Sequence, residues 1–196
     1  MVSQKFKSLL KSILSRYQTL HLEYPVDMKP RYGFGKPVHK GLNAIIEVDS
    51  NVYKSWLQTA LDFREQFVQW PVYHPQHPSL QPSWNNGFLP GLDMVMLYTL
   101  IASGKPSTYV EIGSGNSTKV VARAKKDHQL PLQIISMDPA PRAEIDQLAD
   151  TIVRQPFENA DLGLFTSLKS GDVVFVDNSH RIFPNSDATV FFMDVL

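Results

Sequence analysis

The chain has 196 residues, 43% of them hydrophobic, with 19 basic side chains balanced by 19 acidic ones and no cysteine. That length supports a packed core without a metal or disulfide staple, and the balanced charge argues against binding nucleic acid through a basic excess. Without cysteine there is no disulfide framework, thiolate zinc site, iron–sulfur cluster or cysteine nucleophile, and the composition is compatible with the cytoplasm, the expected location.

Near the N-terminus Phe6, Leu9, Leu10, Ile13, Leu14, Tyr17 and Leu20 recur at helical spacing among Lys5, Lys7, Lys11 and Arg16. The pattern predicts a helix that docks on its own domain or on a partner, in preference to one lying on a membrane surface. Lys11 interrupts the apolar run, so no signal-peptide core forms. No stretch approaches the ~20 apolar residues of a membrane span. Pro25, Pro30, Gly33, Gly35, Pro37 and Gly41 then mark a loop, completing an N-terminal segment over 1–49.

A helical cap is expected over 50–104. Ser50 is placed to cap a helix whose Val52, Trp56, Ala60, Phe63 and Phe67 share one face. The following stretch over 70–90 combines five prolines with Trp70, Tyr73, Trp84 and Phe88, which forbids regular structure. It reads as a lid whose Trp70, Tyr73 and Trp84 meet a substrate, or else as aromatics that simply cover the sheet. His74 and His77 form a pair without cysteine or helical context and are not read as a zinc site. Pro90 opens the next helix, Met94, Leu97, Tyr98 and Ile101 give its buried face, and Gly104 ends it.

From Lys105 to the end, strands alternate with helices. Strands are predicted at Thr108–Ile112, Leu132–Met137, Thr151–Arg154 and Val173–Val176, and helices at Thr118–Lys126, Arg142–Ala149, Leu162–Leu168 and Asp187–Leu196. This is the signature of an α/β domain with a parallel sheet over 105–196, whose ligands bind beyond the carboxyl ends of the strands.

The first strand runs into Glu111-Ile-Gly-Ser-Gly-Asn-Ser-Thr118. Gly113 and Gly115 permit a tight turn and close backbone approach, and Ser117 or Thr118 is placed to cap the next helix. Asp138 ends the second strand near the ~20-residue distance at which a ribose-binding carboxylate follows such a turn. It is alternatively a helix cap before Pro139. Thr118 occupies the position where a dinucleotide motif carries its third glycine, and Glu111 beside the turn repels a pyrophosphate. Both features favour S-adenosyl-L-methionine, which has an ammonium group and no phosphate, over NAD.

These residues resemble a known family. Tyr109–Thr118 is similar to the first motif of class I S-adenosylmethionine-dependent methyltransferases. Ser136–Asp146, Gly171–Arg181 and Phe183–Asp187 resemble a poorly characterised bacterial subgroup of them. The likeness spans about Trp84 to Leu196 and implies a Rossmann-like sheet, here of about four strands in order 3-2-1-4. It assigns Glu111, Gly113 and Gly115 to the cofactor's methionine part, Asp138 to its ribose, and Phe157 or Glu158 to its adenine, with Ser114, Asn116, Ser117 and Thr118 also among the cofactor-binding residues. Asn116 departs from the glycine common at its position.

Past the fourth strand, Asp177 is open to three roles: binding a divalent metal, touching the cofactor, or capping the turn. His180 is either a general base for a hydroxyl acceptor or structural, and Arg181 is a candidate anchor for an acidic substrate. Asp187 is read as the cap of the last helix. The implied function is methyl transfer to a small molecule, at oxygen. The alternatives are a cofactor binder without turnover and an NAD-dependent oxidoreductase. The resemblance also implies further strands beyond Leu196, so the sequence reads as a truncated chain, or one whose fourth-strand edge and last helix are covered by another copy or a partner.

Overall fold

A computed structural model describes residues 12–14, 23–27, 29–73, 80–141 and 144–196. Of the expected N-terminal helix only Ile13 and Leu14 fall among these, both exposed, and the His74–His77 pair lies outside them. The chain divides into two compact units, Met1–Asp49 and Ser50–Leu196. No helix among the described residues is long and apolar enough to cross a membrane.

In the first unit, helix α1 spans Lys40–Glu47. The sequence pattern does not reveal it, because its start is capped by a residue outside the usual set: His39 Nδ1 accepts the Leu42 N–H at 3.1 Å. None of its residues is buried.

The second unit begins with α2 (Ser50–Leu61) and the short α3 (Arg64–Phe67). The expected apolar face holds from Trp56 onward, with Ala60 and Phe67 buried and Phe63 packed on the core, whereas Val52 is exposed. Helix α4 (Gly91–Gly104) buries Met94, Leu97, Tyr98 and Ile101. It ends at Gly104 as expected, and Lys105, at φ 48°, takes the left-handed position and donates to the Ile101 carbonyl at 3.0 Å.

The domain is α/β and Rossmann-like. Strands β1 (Thr108–Ile112), β2 (Gln133–Met137), β3 (Thr151–Val153) and β4 (Val173–Val176) form an all-parallel sheet in order β3-β2-β1-β4. Alternation along β1 divides the core in two. Tyr109 joins α4, α5 (Asn116–Asp127), Leu132 and Ile134 on one face. Val110 and Ile112 join Ile135, Met137, Phe157, Val190 and Phe191 on the other. The connection after β1 therefore covers one face, and the segment between β3 and β4 covers the other. The strand order reverses between β1 and β4, so the crevice of such a sheet opens at their carboxyl ends.

Two expected helices are shorter than predicted. The described part of 142–149 contains only a 3₁₀ turn, Asp146–Leu148, with Ile145 buried as its anchor. Helix α6 is a single turn, Gly163–Thr166, entered by the Asp161 carboxylate accepting the Gly163 N–H at 2.8 Å. Helix α7 (Asp187–Val190) continues into a wider π-type turn, Phe191–Val195, with Ala188, Val190 and Phe191 facing the core. Strand β4 pairs with β1 alone among the described strands.

Candidate ligand-binding and catalytic site

The turn after β1 is held against the end of β4. The Asp177 N–H donates to the Ile112 carbonyl at 2.8 Å, and the Gly113 N–H donates to Met137 at 2.9 Å. Gly113 has φ +86°, and a Cβ there would collide with the Asp177 carbonyl, so both conformation and space require glycine. Gly115 differs. Its backbone is extended and the space where a Cβ would stand is open. Of the residues in this turn, Gly113, Gly115 and Asn116 remain partly accessible, whereas Ser117 and Thr118 are buried.

Glu111 lies beneath the turn and is 0% exposed. One carboxylate oxygen accepts from Tyr109 Oη at 3.1 Å and Ser117 Oγ at 2.9 Å, and the other accepts from Thr118 Oγ1. Burial pushes its pKa up to about 7, against the opposing pull of these hydroxyl donors. The expected contact of Glu111, Ser117 and Thr118 with a ligand is corrected accordingly. Their polar groups face one another, and the cluster secures the start of α5. Thr118 Oγ1 also accepts the Gly115 N–H at 3.1 Å.

Asp138 remains partly accessible at the end of β2. Its Oδ2 accepts the Ser114 N–H and its Oδ1 the Ala140 N–H, both at 2.8 Å, which joins the turns after β1 and β2. Each carboxylate oxygen retains a second lone pair for a ligand donor. Ser114 Oγ meets Ser136 Oγ at 2.7 Å. Arg154 completes the network, donating to Ser136 Oγ at 3.2 Å and to the Asp138 carbonyl at 3.1 Å while pairing with Asp146. Sequence reasoning missed Ser136 and Arg154 as supports of Asp138. The available signal was Arg154's place directly after β3, at the same end of the sheet.

The aromatic loop only partly matches its expected role. Trp70 is 3% exposed, packed against Phe67, Trp84 and Tyr98 at centroid separations of 5.2–5.7 Å, so it belongs to the core and cannot meet a substrate. Trp84 is half-buried on the same cluster, and Tyr73 is exposed. The loop's ends are tied by the Trp84 N–H to the Pro71 carbonyl at 3.0 Å and the Asn85 N–H to Val72 at 2.7 Å. Asn86, absent from the sequence reading, organises the stretch that follows. Its Oδ1 accepts from the Phe88 and Leu89 N–H groups, and its Nδ2 donates to the Ser83 and Leu89 carbonyls. Asn116 Nδ2 also reaches Asn86 Oδ1, at 3.1 Å.

Phe157 is likewise corrected. At 4% exposure it sits in the second core cluster against Phe165 and Phe191, and on its 3₁₀ turn, Phe157–Asn159, Glu158 is half-buried and Asn159 exposed.

At the end of β4, Asp177 and His180 come together: His180 Nε2 lies 2.9 Å from Asp177 Oδ1, with the side chains 75% and 47% exposed respectively. His180 takes a left-handed backbone, φ 57°, and its N–H donates to Asn178 Oδ1 at 3.2 Å. Arg181 is exposed beyond it. Asp187 does not cap α7. Ser186 does, accepting the Thr189 N–H at 3.2 Å, while Asp187 accepts from the Ser179 N–H and hydroxyl at 2.8 and 2.6 Å. Among the described residues no group of three or more His, Asp or Glu side chains is placed to hold a metal, and Asp177 has only His180 beside it as such a partner. Compared with known proteins, the chain matches no family model, no curated protein and no solved structure.

Proposed function

We propose that the second unit binds S-adenosyl-L-methionine at the carboxyl ends of β1, β2 and β4 and transfers its methyl group to a small-molecule acceptor, at oxygen. The observation that carries this reading is the pairing of an open face at Gly115 with the partly accessible Asp138 carboxylate pinned to the same turn. A carboxylate so placed accepts hydrogen bonds from a ribose diol, and the unobstructed glycine lets a ligand approach the backbone. Gly113, Gly115, Asn116 and Asp138 would hold the cofactor, with Glu158 toward its adenine. Glu111 does not fit the ammonium contact that the motif implies, because it is wholly buried beneath the turn among Tyr109, Ser117 and Thr118; it serves by fixing the turn.

The cofactor supplies an activated methyl on a sulfonium. The chain's own residues then need to orient an acceptor and receive its proton. In neutral His180, donation of Nε2–H to Asp177 leaves Nδ1 as the free acceptor, the tautomer that suits a general base toward a hydroxyl. Thr118, buried where a dinucleotide motif carries its third glycine, disfavours a pyrophosphate and hence NAD. The test is a methyl-transfer assay with labelled cofactor over a library of hydroxylated small molecules. Transfer to at least one acceptor, reduced ~100-fold or more in His180→Ala, is expected for a general base. Cofactor binding without turnover on any acceptor would favour a binding protein instead.

A further inference from the structure

Asn86, which the proposed chemistry does not use, is the centre of a small polar cluster. Its amide closes the segment Ser83–Leu89 on itself. Oδ1 accepts from Phe88 N–H at 3.0 Å and Leu89 N–H at 2.7 Å, while Nδ2 donates to the Ser83 carbonyl at 3.1 Å and the Leu89 carbonyl at 3.0 Å. Gly87, at φ +79°, makes the turn between them, and Leu89 is anchored in the core. Outside the segment, Asn86 Nδ2 reaches Met94 Sδ of α4 at 3.2 Å, and Asn116 Nδ2 donates to Asn86 Oδ1 at 3.1 Å; Asn116 is the first residue of α5, immediately after the open Gly115. Farther along the same helix, Arg123 reaches back toward the same region. It donates to Gln69 and Gln81 at 3.3 and 3.4 Å while its Nε is held by Asp127 at 2.8 Å. One helix thus starts at the ligand-binding turn and holds the aromatic loop at two separate places.

We propose that Asn116 is a positioning residue that couples the turn at Gly115 to the loop Ser83–Leu89, so that a ligand seated on the turn orders the loop through the Asn116–Asn86 hydrogen bond. The ligand class rests on the adenosyl reading given above; the hydrogen bond itself does not. The physical basis is the absence of slack. Asn116 has no freedom to move away from Gly115 without leaving the first turn of α5, and Asn86 cannot shift without breaking the bonds that shape the loop. Restraining either side therefore restrains the other. The departure of position 116 from glycine then has a purpose, since glycine would leave the turn without a connection to the loop.

The test is residue-resolved amide hydrogen exchange at Phe88 and Leu89, with and without S-adenosylhomocysteine, in the wild type and in Asn116→Asp. That substitution keeps size and suits a helix start, but it offers Asn86 Oδ1 an oxygen in place of a donor; Asn116→Ala is the second variant. Without ligand, both variants should exchange these two amides roughly tenfold faster than the wild type, with the amides of Leu97 and Tyr98 unchanged. Bound ligand should slow Phe88 and Leu89 several-fold in the wild type and leave them unslowed in variants shown by calorimetry to be saturated. Equal slowing in variant and wild type overturns the coupling while leaving the ligand assignment intact. If S-adenosylhomocysteine does not bind the wild type, the adenosyl reading fails, and the ligand-free comparison alone decides: unchanged exchange in both variants overturns the connection, and acceleration upholds it.

Discussion

Two acidic residues stand at the carboxyl ends of the neighbouring strands β1 and β4, and they have opposite surroundings. Glu111 is wholly enclosed, receives three side-chain hydroxyl donors and has its pKa raised to about 7 by burial. Asp177 is about half exposed and shares one oxygen with His180. Residue type and place in the sheet are nearly the same, yet Glu111 still points from the strand toward the α5 face while Asp177 has already left the strand. What separates a carboxylate enclosed beneath a turn from one open to solvent is the side on which the chain lets it emerge.

The substitution that should disturb both ends together is Gly113→Ala. A Cβ meets the Asp177 carbonyl and the backbone must keep a positive φ, so a loss of about 3 kcal/mol or more is expected in denaturant unfolding. A loss below about 1 kcal/mol would mean that the two turns are not in contact.

Next in size is the pH dependence that belongs to Glu111. Its folded pKa of about 7 lies above the ordinary 4.5, so the folded state holds the proton more tightly. The stability from that preference is complete below about pH 4.5 and is lost as pH rises through about 7, on the order of 3 kcal/mol in all. Thermal unfolding of wild type and Glu111→Gln between these limits should therefore diverge, with the wild type losing ground toward neutral pH. Parallel curves would mean that Glu111 is not buried as described.

A smaller change is expected for Asp138→Asn. Only one of the Ser114 and Ala140 N–H groups, which donate to different oxygens of Asp138, keeps an oxygen acceptor, and the other meets the new amide NH2. The ligand loses a charged acceptor, so affinity for S-adenosylhomocysteine should fall about tenfold or more, near 1.4 kcal/mol. The smallest stability effect belongs to the other half of the comparison. Asp177→Asn should shift unfolding by less than about 1 kcal/mol, as expected of an exposed pair, while abolishing most turnover if the pair carries the base. A large destabilisation would make Asp177 a structural residue like Glu111.

Much of this layout was legible in the sequence. The four strands, the glycine turn and the buried face of α4 follow periodicities and turn chemistry that neighbouring segments do not override, and β1 to β4 pair in the expected order. The failures at the site share one cause, the direction of a side chain. Sequence placed Glu111 next to a ligand turn, but it could not reveal that Tyr109, Ser117 and Thr118 converge on that carboxylate. Trp70 and Phe157 look like ligand-facing aromatics until their partners across the fold are known. Asn86 reads as an ordinary turn residue in Asn85-Asn86-Gly87, because the bond that gives it meaning comes from Asn116, a residue distant in the chain. The 3₁₀ turn at Asp146–Leu148 replaces a predicted helix where Pro139 and Pro141 precede a short segment anchored by Ile145.

The central claim is that the turn after β1, with Asp138 beside it, takes an adenosyl ligand without a pyrophosphate. Calorimetric titration of the folded protein with S-adenosylhomocysteine and with NAD tests it most directly. Saturable one-site binding of S-adenosylhomocysteine, weakened in Asp138→Asn, with no heat from NAD, is the predicted result. No binding of S-adenosylhomocysteine, or binding that Asp138→Asn leaves unchanged, would contradict it.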